Sequence, residues 1–308
     1  MRPLILSLIL LWTSCAIAFS ESESASYRMA LIVQNNNTYW EQIISGMQDA
    51  ARDLNVSPTL LEIYRSDDIC TTLFPPACAV DIARYADMDA IITLYDSDET
   101  FQQHLEEARD QDIVTVYVDC DGENRDLYVG TDNYAAGVQA AQTLNLHMQN
   151  TGAILIPIRD TAQKSNYCQR IAGIEDSLSK ENQHELVLYR YEDVFSASTV
   201  QMLKTYLEAH PEITAIISLS EGRTLSLAQM IRRENWQERI TLLGFDMIPE
   251  LIPFLEDGSV DYVIAQQPYE IGYRSIERAY AWLCGDHSGA SECYIETLVI
   301  DDAESGNR

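Results

Sequence analysis

Short apolar runs and amphipathic stretches alternate along this chain from residue 28 to residue 300. Runs rich in β-branched and aromatic residues predict strands, and apolar residues at helical spacing predict the helices between them. In the first half the predicted strands span residues 28–33, 59–64, 90–94, 113–118 and 127–130, and the predicted helices span 39–54, 78–85 and 99–110.

The second half repeats this alternation. Its predicted strands span 153–157, 186–191, 215–219, 241–244, 262–265 and 294–300, and its predicted helices span 133–149, 163–180, 197–209, 223–234, 248–257 and 269–283. Such alternation predicts parallel sheets that are covered by helices on both faces, and eleven strands suit two sheets better than one. The predicted fold class is therefore α/β, with two doubly wound parallel-sheet lobes.

The first 26 residues have the pattern of an export signal. A charged start, Met1-Arg2-Pro3, precedes an apolar run at 4–12 and the sequence Ala16-Ile17-Ala18. This pattern predicts a signal peptide, residues 1–18, and a polar leader, residues 19–26. The alternative is a lipoprotein acylated at Cys15. Because the apolar run is too short to span a membrane, we expect a mature protein that is exported to the periplasm.

Composition and charge narrow the function. About 290 mature residues suit two lobes, and a formal net charge of -28 argues against nucleic acid and anionic membranes as partners. The sequence has no GxSxG, HExxH, P-loop or GxGxxG motif, so we predict no enzymatic activity and expect no cofactor.

Cysteine usage agrees with export. The mature chain contains Cys70, Cys78, Cys120, Cys168, Cys284 and Cys293. Two pairs flank short loops, so Cys70 with Cys78 and Cys284 with Cys293 are plausible disulfides in an oxidising compartment. Neither pair has the CxxC spacing of a zinc site, and no metal site is predicted.

Three strings place small and polar residues at the ends of predicted strands: residues 128–133, 243–246 and 263–268. Open α/β sheets bind ligands at these carboxyl ends. Together with Asn37-Thr38-Tyr39-Trp40 near the front, the order and spacing of the strings resemble the type I periplasmic binding proteins. That ribose- and galactose-binding group shares its fold with the LacI-type repressors. The resemblance covers residues 28–300, and a signal peptide occupies the place of the repressors' DNA-binding module.

The resemblance implies two lobes joined by a three-strand hinge. Applied to this sequence, the resemblance implies that the chain crosses between the lobes near Thr131, near Gln266-Gln267 and near Cys293-Tyr294. This division gives an N-terminal lobe of residues 27–131 plus 267–293 and a C-terminal lobe of 132–266 plus 294–308. Asp132 and Asn133 are then interpreted as a helix cap and hinge support rather than ligand contacts.

The resemblance also implies a ligand site between the lobes. The family stacks aromatic rings on a sugar at the position of Tyr39 and Trp40, and we expect at least one of the two to line the cleft, with the other as a possible core residue. Asn37 is expected either to bind ligand or to cap the helix. Asp119 and Asp246 would accept hydrogen bonds from ligand hydroxyls.

Other positions complete the implied site or depart from the family. Gln266 lies at the second crossing, where an amide can hold both ligand and backbone. A family arginine on the second lobe aligns with Cys168, or with Arg170 after a small shift. Ser220 begins a segment that replaces the familiar Asn-Asp. Cys120 stands where an arginine is common.

Local pairing of the other four cysteines leaves Cys120 and Cys168. The alternatives for these two are separate thiols near the cleft, a disulfide bridge between the lobes, or burial of one or both in a lobe core.

We expect a monomeric solute-binding protein that closes on a small polar ligand, sugar- or polyol-like, and delivers it to an ABC permease. The alternative is a sensing partner of a membrane histidine kinase or chemoreceptor, because the Tyr39-Trp40 pair is similar to the autoinducer receptor and the trimethylamine-oxide sensor.

Overall fold

A computed structural model describes residues 27–33, 37–62, 75–148, 152–159, 165–181, 184–192 and 195–301. The predicted signal peptide, the polar leader and Cys70 lie outside the described residues. Within the described ranges, no helix has the length and apolar character needed to cross a membrane.

The first lobe contains a six-stranded parallel sheet. Its strands are β1 (Arg28–Val33), β2 (Ser57–Glu62), β3 (Ala90–Thr93), β4 (Val114–Val118), β5 (Leu127–Thr131) and, from the end of the chain, β11 (Glu292–Ile295), in the order β11-β5-β4-β3-β1-β2. Its helices are α1 (Thr38–Asp53), α2 (Pro76–Tyr85), α3 (Glu99–Arg109) and α9 (Pro268–Leu283).

The second lobe repeats this topology. Its strands are β6 (Ala153–Arg159), β7 (Leu186–Tyr191), β8 (Ile213–Ile217), β9 (Thr241–Phe245), β10 (Tyr262–Ala265) and β12 (Leu298–Ile300), in the order β12-β10-β9-β8-β6-β7. Its helices are α4 (Asn133–His147), α5 (Ser165–Glu181), α6 (Ala197–Ala209), α7 (Glu221–Glu234) and α8 (Ile252–Glu256). The predicted α/β fold with two parallel-sheet lobes is confirmed, with β12 as an antiparallel edge strand.

The last predicted strand is wrong as a single element. Instead of one strand over 294–300, β11 pairs with β5 in the first sheet and β12 pairs with β10 in the second. The chain therefore passes between the sheets after Ile295, later than the crossing expected near Cys293-Tyr294. The sequence pattern alone does not show that Glu296 and Thr297 separate two strands that belong to different sheets.

Polar side chains begin several of the helices. Asn37 caps α1 by accepting from the Trp40 N–H at 3.1 Å, and Asp132 caps α4 by accepting from the Ala135 N–H at 2.9 Å. Each cap satisfies one of the backbone donors that a helix start leaves without an intrahelical partner. The interpretation of Asp132 as a cap agrees with this geometry.

The predicted disulfide between Cys284 and Cys293 is not formed, because both are free thiols. Cys284 is exposed at the end of α9, where its thiol interacts with the hydroxyls of Tyr27 and Tyr280. Cys293 lies half-buried on β11 against the first-lobe core. The pairing was predicted because the two cysteines are close in sequence, but the two thiols lie in different packing environments. Cys78 is also a free thiol.

Candidate functional site

Asp119 and Asp246 occupy the turns that follow β4 and β9. Both have left-handed backbone conformations, with φ of 64° and 67°, which Asp adopts more readily than most side chains. The Asp119 N–H donates to the Val129 carbonyl at 3.2 Å, and the Asp246 N–H donates to the Ile264 carbonyl at 3.0 Å. These bonds to the neighbouring strand hold each carboxylate at the end of its sheet.

Tyr39 reaches this edge from the first turn of α1. Its hydroxyl donates to Asp119 Oδ1 at 2.6 Å and lies 3.4 Å from Gln266 Oε1. Burial raises the pKa of Tyr39 well above its ordinary value, and the carboxylates of Asp119 and Asp246 raise it further. The hydroxyl therefore stays protonated and acts as a donor.

Gln266 connects the hinge to the second lobe. Its Nε2 donates to Asp246 Oδ1 at 2.6 Å, and its Oε1 accepts from the Thr131 hydroxyl at 2.7 Å. Thr131 and Gln266 stand at two of the three positions where the chain changes sheets. The structure thus brings the first lobe, the hinge and Asp246 into one hydrogen-bonded chain. Sequence reasoning did not assign Thr131 a side-chain role.

Asp246 is the most perturbed acid of the cleft. Only 12% of its side chain is exposed, and its Oδ2 lies 4.0 Å from Arg170 Nη1. Burial is the largest cause of a pKa raised to about 6; Arg170 and Gln266 lower it, while Glu221 and Asp119 raise it. A carboxyl of this kind titrates close to neutral pH.

Arg170 supports the second-lobe side of the site. Its side chain is 1% exposed; Nε donates to Asn133 Oδ1 at 2.8 Å and Nη1 donates to the Leu219 carbonyl at 3.0 Å. Its guanidinium also lies over the Phe245 ring, 4.3 Å from the centroid. Asn133, interpreted from the sequence as hinge support, orients this arginine.

Cys168 does not share the arginine's environment. It is exposed on α5, two residues before Arg170, and two residues along a helix place side chains on nearly opposite faces. This placement is at odds with the predicted ligand contact of Cys168, whereas the alternative, Arg170, lies 4.0 Å from Asp246. Cys120 is half-buried after Asp119, and no disulfide joins it to Cys168, so the two form no interlobe bridge.

Trp40 belongs to the core of the first lobe. It is 5% exposed and packs in the cluster that includes Ile43 and Met47. Its ring meets the Tyr39 ring edge to face at 5.7 Å. The prediction of Trp40 as a ligand contact is corrected: of the two aromatic residues, Tyr39 lines the cleft and Trp40 packs beneath it.

Asn37 and Glu221 bridge the lobes. Besides capping α1, Asn37 donates from Nδ2 to Glu221 Oε1 at 3.1 Å. Glu221 is the first residue of α7, immediately after Ser220. Ser220 contributes its carbonyl, which accepts from Thr224 Oγ1 at 2.8 Å, whereas the neighbouring Glu221 lines the cavity. The sequence pattern identified this segment as the replacement of the family's Asn-Asp but placed the candidate ligand contact at Ser220 rather than at Glu221.

A cavity of about 450 Å³ opens beside these groups. Polar residues of its lining include Tyr39, Glu221, Asp246 and Gln266. The lining also has an apolar part, which includes Met247, Ile248, Pro249, Ile252, Leu298 and Ile300. This volume is within the range of small-molecule sites, which combine apolar walls with a few placed polar groups.

Two α/β lobes with such a cleft between them define a class of binding protein, and comparison identifies the family. Residues 29–287 match the periplasmic binding protein domain family. The chain therefore belongs to that family, and the predicted resemblance to type I periplasmic binding proteins is confirmed. Because the family binds ligands rather than transforming them, the prediction that the chain is not an enzyme is also confirmed.

Curated relatives are distant. The D-allose-binding periplasmic protein of Escherichia coli strain K12 is 22% identical over 276 residues, which cover 84% of this chain and 86% of the relative. The ABC transporter periplasmic-binding protein YphF of the same organism is 23% identical over 255 residues, which cover 79% and 75%.

Solved structures share the fold. GanP, a glucose-galactose binding protein from Geobacillus stearothermophilus, superposes with a TM-score of 0.80 at 24% identity, covering 91% of this chain and 98% of that one. XylFII in its complex with LytSN superposes with a TM-score of 0.73 at 21% identity, covering 90% and 98%. At these identities the likeness establishes the fold.

Proposed function

We propose that this protein is exported to the periplasm, closes its two lobes on a small polar ligand of sugar or polyol type, and delivers it to an ABC transporter. The observation that carries the proposal is the convergence of Tyr39, from the first lobe, with Gln266 and Asp246 on one cavity. Relatives of the same family that bind D-allose or serve an ABC transporter support the ligand class and the destination.

The hydrogen bonds of the site suit a polyhydroxylated ligand. Tyr39 pairs with Asp119, and Gln266 pairs with Asp246, so each carboxylate already accepts one donor. A carboxylate has two oxygens with about four acceptor sites, and a ligand hydroxyl can add to or replace these donors. The Tyr39 ring offers an apolar face for the C–H groups of a sugar.

Closure would follow from contacts that join the lobes. The Asn37–Glu221 hydrogen bond connects the start of α1 to the start of α7 across the cleft. A ligand shifts an equilibrium between open and closed forms only when it binds the closed form better. A ligand that contacts Tyr39 on one side and Asp246 on the other meets this condition.

A thermal-shift screen over sugars and polyols, with amino sugars and small amines in the same panel, tests the proposal. A true ligand stabilises the folded protein by about 2.7 kcal/mol at a hundredfold excess over its Kd. Asp246→Ala should abolish this shift, because ligand donors would then be buried without an acceptor. Asp110→Ala, at an exposed residue that ends α3, is the matched control. The absence of any ligand-dependent shift across the panel would contradict the proposal.

A sensing role is the alternative. XylFII, which shares this fold, forms a complex with LytSN, so a protein of this architecture can present a surface to a protein partner. In this alternative the cleft is the same, and the closed form is recognised by a membrane sensor protein instead of a permease. A permease gene beside this gene favours transport, and a histidine kinase or chemoreceptor gene favours sensing. Ligand-dependent binding to the purified partner decides between them.

A further inference from the structure

The cavity between the lobes has an unbalanced charge. Glu221 and Asp246 line it, and Glu270 lies at its rim, where Arg274 pairs with it at 2.6 Å. Among the described residues that line the cavity, none is Lys, Arg or His. Asp119 adds a further carboxylate to the cleft through its contact with Tyr39.

Arg170 is the described basic group that lies beside Asp246, with Nη1 4.0 Å from Asp246 Oδ2. It also donates to Asn133 and to the Leu219 carbonyl, and it packs on the Phe245 ring rather than lining the cavity. Among the described residues, the cavity lining therefore carries an excess of negative charge when Glu221 and Asp246 are ionised. Burial is the largest cause of the raised pKa of Asp246, and Glu221 and Asp119 raise it further, which is consistent with this excess.

The apolar part of the cavity lining determines which kind of cation fits. Met247, Ile248, Leu298 and Ile300 present hydrocarbon, and the Tyr39 ring adds an aromatic surface. A hydrated inorganic cation gains nothing from such a wall, because hard metal ions require oxygen ligands around them. An organic cation gains both the burial of its C–H groups and the attraction of carboxylates and aromatic faces.

We infer that the ligand of this cleft carries a protonated amine on a C–H-rich body, as in an amino sugar or a small cyclic amine. The amine lies toward Glu221 and Asp246, and the body lies against Tyr39 and the apolar wall. This inference rests on the proposed function and narrows its ligand class. A neutral ligand would add no positive charge beside Glu221 and Asp246, and enclosing that excess of negative charge is costly once the lobes exclude water.

Pairs of probes that differ only by charge test the inference at pH 7.5. Suitable pairs are D-galactosamine with D-galactose, D-glucosamine with D-glucose, and cyclohexylamine with cyclohexanol, each titrated by calorimetry. We expect at least one amine to bind about tenfold or more tightly than its alcohol partner. Glu221→Gln should reduce that preference by about tenfold. Its amide oxygen can still accept from Asn37.

Glu256→Gln is the matched control, because Glu256 is exposed on α8 and does not line the cavity. It changes the net charge by the same amount and should leave the preference unchanged. Equal or tighter binding of the neutral partners overturns the inference and leaves the proposed function standing. An amine preference that survives Glu221→Gln also overturns it. If neither amines nor neutral sugars and polyols bind, the proposed function fails as well.

Discussion

Gly46 of α1 and Gly272 of α9 form a reciprocal backbone contact. A Cβ atom on Gly46 would lie 2.0 Å from the Tyr269 carbonyl oxygen, and a Cβ atom on Gly272 would lie 2.0 Å from the Ile43 carbonyl oxygen. The two helices begin at Thr38 and Pro268, next to the cleft. Their close approach therefore sets the distance between Tyr39 and the hinge residue Gln266.

Gly46→Ala should destabilise the protein by about 1–3 kcal/mol, because the added methyl group meets backbone that cannot rotate away. Gly222→Ala is the control: nothing lies within 4 Å of its Cβ position, and Ala favours a helix over Gly. It should be neutral or stabilising by up to ~1 kcal/mol. Urea denaturation measures both. A Gly46→Ala protein as stable as the control would contradict the close contact.

Trp40→Ala should lower the free energy of unfolding by about 3–5 kcal/mol, the usual cost of removing a large aromatic side chain from a core. The reason is its burial beneath Tyr39 in the first-lobe cluster. Chemical denaturation monitored by circular dichroism gives the value. A loss of ligand affinity with no loss of stability would return Trp40 to the ligand surface.

Tyr39→Phe keeps the aromatic ring and removes the donor to Asp119. We expect a loss of about 1–3 kcal/mol in folding stability, because the half-buried Asp119 carboxylate loses a short hydrogen bond. Tyr294→Phe, at a tyrosine that is 55% exposed, is the matched control and should have little effect. Equal stabilities for the two variants would show that the Tyr39–Asp119 bond contributes nothing.

Asp246→Asn should change how stability depends on pH. The folded-state pKa of Asp246 is about 6, above the ordinary value of 3.8, so ionising the buried carboxyl costs free energy as pH rises. Below pH ~4 the group is protonated in both folded and unfolded states, and the variant gains nothing. Above pH ~6 the variant should be more stable than the wild type, by about 3 kcal/mol at most.

Unfolding measured at pH 4, 6 and 8 checks this difference. Asp261, whose pKa burial also raises to about 6, is present in both proteins, so its contribution cancels. A stability difference that shrinks as pH rises would contradict the assignment of Asp246 as a buried acid.

Cys284→Ser with Cys293→Ser should change stability by less than about 1 kcal/mol under non-reducing conditions. Removing a native disulfide costs roughly 2–5 kcal/mol, and the structure has free thiols at both positions. Alkylation of the unreduced wild-type protein, followed by mass spectrometry of its peptides, should label both cysteines. A bridged peptide would contradict the structure.

Local chemistry made much of the fold predictable. Short runs of apolar and β-branched residues located the strands from β1 to β10 to within a few residues, because most strands of a sheet covered on both faces are apolar along their whole length. The cap at Asp132 was predictable for the same reason, since its partner is the N–H of Ala135 three residues away. The carboxylates after β4 and β9 were found because strand ends are visible in the pattern.

The sequence by itself thus determined an α/β chain of two repeated lobes and the strand ends that carry Asp119, Asp246 and Gln266. Only the tertiary structure decided that Tyr39 rather than Trp40 lines the cleft, and that Arg170 rather than Cys168 lies beside Asp246. It also decided that one apolar run supplies strands to two sheets. These choices depend on how helices rotate against the sheets and on contacts between residues far apart in the chain, and neither is encoded in local periodicity.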